Sequence, residues 1–166
     1  MGSNESPKKL GFGAKLKNAA ALTLATGVGT GYFPLASGTV GSLVGVGIVW
    51  LLRDVGVFNQ VLICVVLAVA GVLASDIACD LLDGEDPSQV VIDEIVGFMV
   101  TMVAIPVSVG SLVGGFLIFR FFDVAKLPPA NIIDERLKNA WGVMLDDVVA
   151  GIFGNIWLHL ILRAQI

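Results

Sequence analysis

Charge is scarce in this sequence. Only 14% of its 166 residues are Asp, Glu, Lys or Arg, whereas a soluble domain carries about a quarter. The 10 basic side chains are outnumbered by 14 acidic ones, so no positive stripe is available for a phosphate backbone, and nucleic-acid binding is excluded. Histidine occurs once, as His159, and cysteine twice, as Cys64 and Cys79. No thiolate or imidazole cluster for zinc follows from that, nor a disulfide framework. Both thiols read as packing residues, and a lone histidine within an apolar run as packed or interfacial.

Apolar side chains take the place of the missing charge. They make up 56% of the chain, and the mean hydropathy is +0.90. A core of this size cannot hide so much apolar surface from water, so lipid must cover the remainder. The expectation is an all-α, polytopic membrane bundle with about four to five transmembrane helices, a short N-terminal helix and a glycine-rich loop. Residues 1–18 form a polar, basic segment and 19–166 a single membrane-embedded domain.

Along the chain, a short helix is predicted over residues 15–26 and a glycine-rich loop over 27–42. Apolar spans follow at 39–53, 55–75, 92–107, 109–122 and 143–162. The second continues as a polar helix with Asp76, Asp80 and Asp83 on one face, until Gly84 and Pro87 break it. The third and fourth should form an antiparallel hairpin around residues 106–110. Orientation follows from the cations. An inside N-terminus leaves Lys8, Lys9, Lys15, Lys17, Arg120, Lys126, Arg136 and Lys138 on the cytoplasmic side, and only Arg53 and Arg163 outside.

With that orientation, four stretches meet at the cytoplasmic face: Ser37-Gly-Thr-Val-Gly-Ser42, the pair Asp93-Glu94, the run Arg120-Phe-Phe-Asp-Val-Ala-Lys126, and the pair Asp146-Asp147. Carboxylates at a membrane boundary need a partner, a wet cavity or a cation. Helix capping is one reading of the two pairs. A cap needs only one short acid, however, and two adjacent acids at each of two helix starts, with Asp123 near a third end, favour a cation. An all-oxygen donor set suits magnesium, with manganese as the alternative, and argues against zinc. The candidate catalytic and metal-binding residues are thus Asp93, Glu94, Asp123, Asp146 and Asp147.

Magnesium bound by few carboxylates often completes its shell with water and substrate phosphate, and phosphate-binding chemistry lies close by in the sequence. Gly38 and Gly41 allow backbone N–H groups to approach an anion, Thr39 and Ser42 offer hydroxyls, and Arg120 and Lys126 offer charge. Each element has a bland alternative: helix packing for the glycines and an ion-paired interfacial cluster for the cations.

Together these stretches resemble the phosphatidylglycerophosphatase A family. The similar pieces are Ala25-Thr-Gly-Val-Gly-Thr-Gly31 with Gly38-Thr-Val-Gly-Ser-Leu43, Val91-Ile-Asp-Glu-Ile-Val-Gly97, Phe119-Arg-Phe-Phe-Asp-Val-Ala-Lys126, and Gly142-Val-Met-Leu-Asp-Asp-Val-Val-Ala-Gly151. They run in the family's order. The resemblance implies a magnesium-dependent lipid phosphatase of the bacterial inner membrane, multi-pass, with its active site facing the cytoplasm. Its implied substrate is phosphatidylglycerol phosphate and its product phosphatidylglycerol. The rival class is a cation transporter or channel using the same acids, which would favour ionisable groups near mid-membrane; the spans are almost free of them.

Overall fold

The computed structural model describes residues 11–82, 84 and 87–164, without the side chains of 134 and 135. Lys8, Lys9 and Asp83 lie outside the described residues. Every regular element among those described is helical, as expected: α1 (Phe12–Ala25), a 3₁₀ turn (Thr30–Tyr32), α2 (Ser37–Leu51), α3 (Val57–Leu82), α4 (Ile92–Thr101), α5 (Val109–Ala125), α6 (Ala130–Arg136) and α7 (Ala140–Arg163).

Two of these helices, α3 with 26 residues and α7 with 24, are long and apolar enough to cross a membrane. At about 1.5 Å per residue, α2, α4 and α5 fall short of a 30 Å hydrocarbon core on their own. The outer surface is nonetheless apolar on several sides. Val109, Val113, Leu117 and Phe121 form an exposed stripe along α5, and Phe58, Leu62, Val66 and Leu73 do so along α3. Patches of this extent do not persist in water on a soluble monomer and suggest a membrane association.

The third apolar run stops earlier than its composition predicts. α4 ends at Thr101, and residues 102–104 turn, with Ala104 in the left-handed region at φ 59. Pro106 supplies no N–H and disfavours helix at the residue before it, so the run to 107 cannot remain helical. Asn155 of α7 compensates: its Nδ2 donates to Thr101 O at 3.0 Å and to Val103 O at 2.7 Å. The chain re-enters a helix at Ser108, whose hydroxyl and that of Ser111 form a reciprocal capping box. The expected hairpin is therefore loose, and α4 packs chiefly on α7 and α2, while α5 packs chiefly on α7.

α4 is the central helix, buried along most of its length. Its crossing with α7 depends on two glycines. A Cβ on Gly151 would overlap the carbonyl oxygen of Gly97, and one on Gly97 would lie 2.8 Å from Asp147 O. Two backbones can approach this closely only where neither carries a side chain. Thr101, fully buried, adds a hydroxyl 3.1 Å from Gly97 O and 3.3 Å from Gly151 O. The same contact that locks the crossing therefore fixes Asp147 against the first turns of α4.

Candidate active site

The loop after α1 brings the chain to the site. Val91 N–H donates to Ala25 O at 2.9 Å, which anchors the segment entering α4 to the end of α1. α2 starts at Ser37, two residues earlier than predicted, after Ala36 in a left-handed conformation. Gly38, Thr39, Gly41 and Ser42 consequently lie in the first turns of a helix, not in a loop. Asp93 and Glu94 occupy the first turn of α4, whose N-cap, Val91, makes no side-chain cap bond. α7 is capped by Asn139, whose Oδ1 accepts from Gly142 N at 3.0 Å. Asp146 and Asp147 are thus inside the helix, beyond its first turn, and capping does not account for them.

At the opposite polarity, α5 delivers Arg120 and Asp123 from its last turns. It closes at Lys126, whose left-handed backbone lets its N–H reach Phe122 O at 3.0 Å. The helix stops there, just ahead of Pro128, where a helical path is disfavoured. The turn sends the Lys126 ammonium back to Asp146, at 2.8 Å, while Arg120 pairs with Asp123 at 2.5 Å. The sequence places Arg120, Asp123 and Lys126 on one helix face; in three dimensions the two cations serve two different acids.

All five acids line one cavity of about 240 Å³, together with Lys126, Ser37, Ser88, Val90 and Val143. Gly38 stands beside it: a Cβ there would overlap Glu94 Oε1 and lie 3.3 Å from Arg120 Nη1. Thr39, Gly41 and Ser42 are not part of the lining among the described residues. The Ser42 hydroxyl is buried and donates to Gly38 O at 2.9 Å, and a Cβ on Gly41 would lie 2.8 Å from Val91 Cβ. These residues seat α2 against the entry to α4. Ser37 and Ser88 line the cavity without having been singled out as candidates; both are small polar residues just before or at a helix start, a weak signal in one dimension.

Within the cavity Asp93, Glu94 and Asp147 each present one carboxylate oxygen, all within 4.8 Å of one another. Asp93 Oδ1, Glu94 Oε2 and Asp147 Oδ2 are buried and accept no hydrogen bond. Three such oxygens repel one another and have lost their hydration, an arrangement that a cation offsets and nothing apolar can. The triad could hold a metal ion, and its donor chemistry fits a hard one. α2, α4 and α7 all begin at this end of the bundle, so their positive dipole ends add to the attraction for anionic groups. His159 lies well along α7, apart from the lining.

A family model described as phosphatidylglycerophosphatase A matches residues 23–162. Among curated proteins, a phosphatidylglycerophosphatase A of Haemophilus influenzae is 35% identical over 136 residues, covering 80% of this chain and 83% of the relative. That of Escherichia coli is 31% identical over 140 residues, covering 83% of this chain and 81% of the relative. A Bacteroides thetaiotaomicron protein provisionally named phosphatidylinositol-3-phosphatase is 35% identical over 143 residues, covering 80% of this chain and 87% of the relative. No solved structure matches at comparable significance.

Proposed function

The chain belongs to the phosphatidylglycerophosphatase A family of phosphoric monoester hydrolases, and from that premise we propose that it removes the terminal phosphate of phosphatidylglycerol phosphate in a magnesium-dependent reaction. The observation that carries the reading is the cavity in which five acids and Lys126 meet, with buried carboxylate oxygens of Asp93, Glu94 and Asp147 left without hydrogen-bond donors. Residues 19–166 act as one membrane-embedded phosphatase domain, multi-pass, with this cavity at the cytoplasmic face of a bacterial inner membrane. Arg120, Lys126 and Lys138 lie toward the end of the bundle where α4 and α7 begin, and Arg53 and Arg163 lie beyond or at the opposite ends of α2 and α7, which supports the orientation.

Asp93, Glu94 and Asp147 would hold the magnesium. When bound, it supplies Lewis-acid polarisation of phosphoryl oxygens and a water of lowered pKa. Lys126 and Arg120 offset the charge of the transferring phosphoryl group, and each is already oriented by an acid, Asp146 and Asp123 respectively. Gly38, having no side chain, lets Glu94 and Arg120 lie against the start of α2, while Thr39, Gly41 and Ser42 act by seating that helix. The oxygen of water bonds to phosphorus, the bond from phosphorus to the glycerol oxygen breaks, and a carboxylate of the group relays the proton to that oxygen. The products are inorganic phosphate and phosphatidylglycerol.

The test is phosphate release from purified protein with phosphatidylglycerol phosphate, with magnesium or with chelator, beside Asp93→Asn and Asp147→Asn. Turnover that survives chelation, or that both variants retain, rules the reading out. The name carried by the Bacteroides relative favours one second substrate, so phosphatidylinositol 3-phosphate belongs in the same assay. A preference for it would keep the site chemistry and replace the headgroup.

A further inference from the structure

A second cavity, of about 450 Å³, runs between α5 and α7 and is almost wholly apolar. Leu117, Phe121, Phe122 and Leu127 form one wall, and Trp157 and Ile161 the other. Its lining neighbours that of the acidic cavity along the chain: Phe122 precedes Asp123, and Leu127 follows Lys126. We propose that this groove takes one acyl chain of the phospholipid whose phosphate reacts in the acidic cavity. The inference rests on the lipid-phosphatase reading above and adds to it where the hydrocarbon part of the substrate lies.

Depth, opening and rigidity support that occupant. From Leu117 to Lys126 a helix rises about 14 Å, close to the half-thickness of a hydrocarbon core of about 30 Å. The groove therefore spans one leaflet, with its polar end at the acids. It opens sideways, since Leu117 and Phe121 are each 62% exposed and Trp157 is 53% exposed. Its inner wall is braced by rings: Phe122 lies 5.3 Å from Phe121 and 5.7 Å from Phe153, centroid to centroid. A chain leaving the bilayer for such a groove gains little by transfer, because lipid tails are already apolar surroundings. What it gains is a fixed position, and seating the chain sets how far the phosphate reaches toward Asp93, Glu94 and Asp147.

The experiment compares purified full-length protein in mixed micelles on long-chain and short-chain diacyl phosphatidylglycerol phosphate. Leu117→Trp fills the groove, and Val113→Trp adds the same bulk on the exposed face of α5 outside it. Leu117→Trp should lower kcat/KM for the long-chain lipid about tenfold, in line with the cost of overfilling a packed site, and leave the short-chain lipid almost unchanged. Val113→Trp should change neither. Equal loss on both lipids, or no loss on either, overturns the proposal. So does a shift in molecular mass for Leu117→Trp, because it would make the groove a contact between two copies of the chain. Wild-type protein that releases no phosphate from either lipid would instead refute the underlying activity, an outcome distinct from an unchanged chain-length ratio.

Discussion

The carboxylate triad makes one prediction that separates metal binding from every structural role. Asp147→Asn removes one of three charges whose oxygens lie within 4.8 Å of one another. At an effective dielectric of about 20, each such pair repels by about 3 kcal/mol. Part of that repulsion is relieved without mutation, because a crowded carboxylate takes up a proton before it bears the whole cost. A gain of about 1–3 kcal/mol for the metal-free protein is then expected, which corresponds to a rise in Tm of about 3–8 °C for a chain of this size. An asparagine amide is nearly isosteric with the carboxylate it replaces, so no cavity offsets the gain. The assay is thermal unfolding in detergent, with chelator and with magnesium, for wild type and variant. In chelator the variant should melt higher. Magnesium should raise the wild-type Tm by mass action and leave the variant almost unmoved, while phosphate release by the variant is lost. A variant that melts lower in chelator would mean that Asp147 is held by donors and stabilises the fold as an anion. Equal magnesium shifts in the two proteins would place the ion elsewhere. Either result defeats the assignment.

Lys126→Met removes the cation 2.8 Å from buried Asp146 and should cost about 1–3 kcal/mol, less than for a fully enclosed pair because Lys126 is partly exposed. Adding Asp146→Asn should recover most of that stability and none of the activity, a combination that a double-mutant thermal and kinetic series would detect. Gly97→Ala forces a methyl group to within 2.8 Å of Asp147 O and 2.7 Å of Phe119 Cε2. It should lower stability by about 1–3 kcal/mol and reduce turnover as well, because the same displacement moves Asp147. Asn155→Leu leaves Thr101 O and Val103 O without their side-chain donor. The expected loss is about 1–3 kcal/mol of stability, with the response of turnover to added magnesium the same as in wild type.

Helix content, the order of the elements and the identity of the acids were legible in one dimension because each depends on local chemistry. Long apolar runs force backbone hydrogen bonds to close within the segment, which is why α3 and α7 lie close to where composition places them. Proline and glycine mark breaks by local sterics, and the end of α5 before Pro128 follows from that rule. Ends governed by partners were harder to read: α4 loses its last turn to Pro106 and is compensated by Asn155, a residue on another helix.

Composition and residue type alone determined that this chain is helical, apolar and supplied with carboxylates that could hold a metal ion. Tertiary structure decided which of those donors share a cavity, which acids take Lys126 and Arg120 as partners, and that Gly41 and Ser42 pack α2 while Gly38 faces Glu94. The physical reason is one of range. A side chain's chemistry and its backbone preference are set within a few residues, whereas the field at a carboxylate is set by whatever packing brings within a few ångströms, from anywhere in the chain.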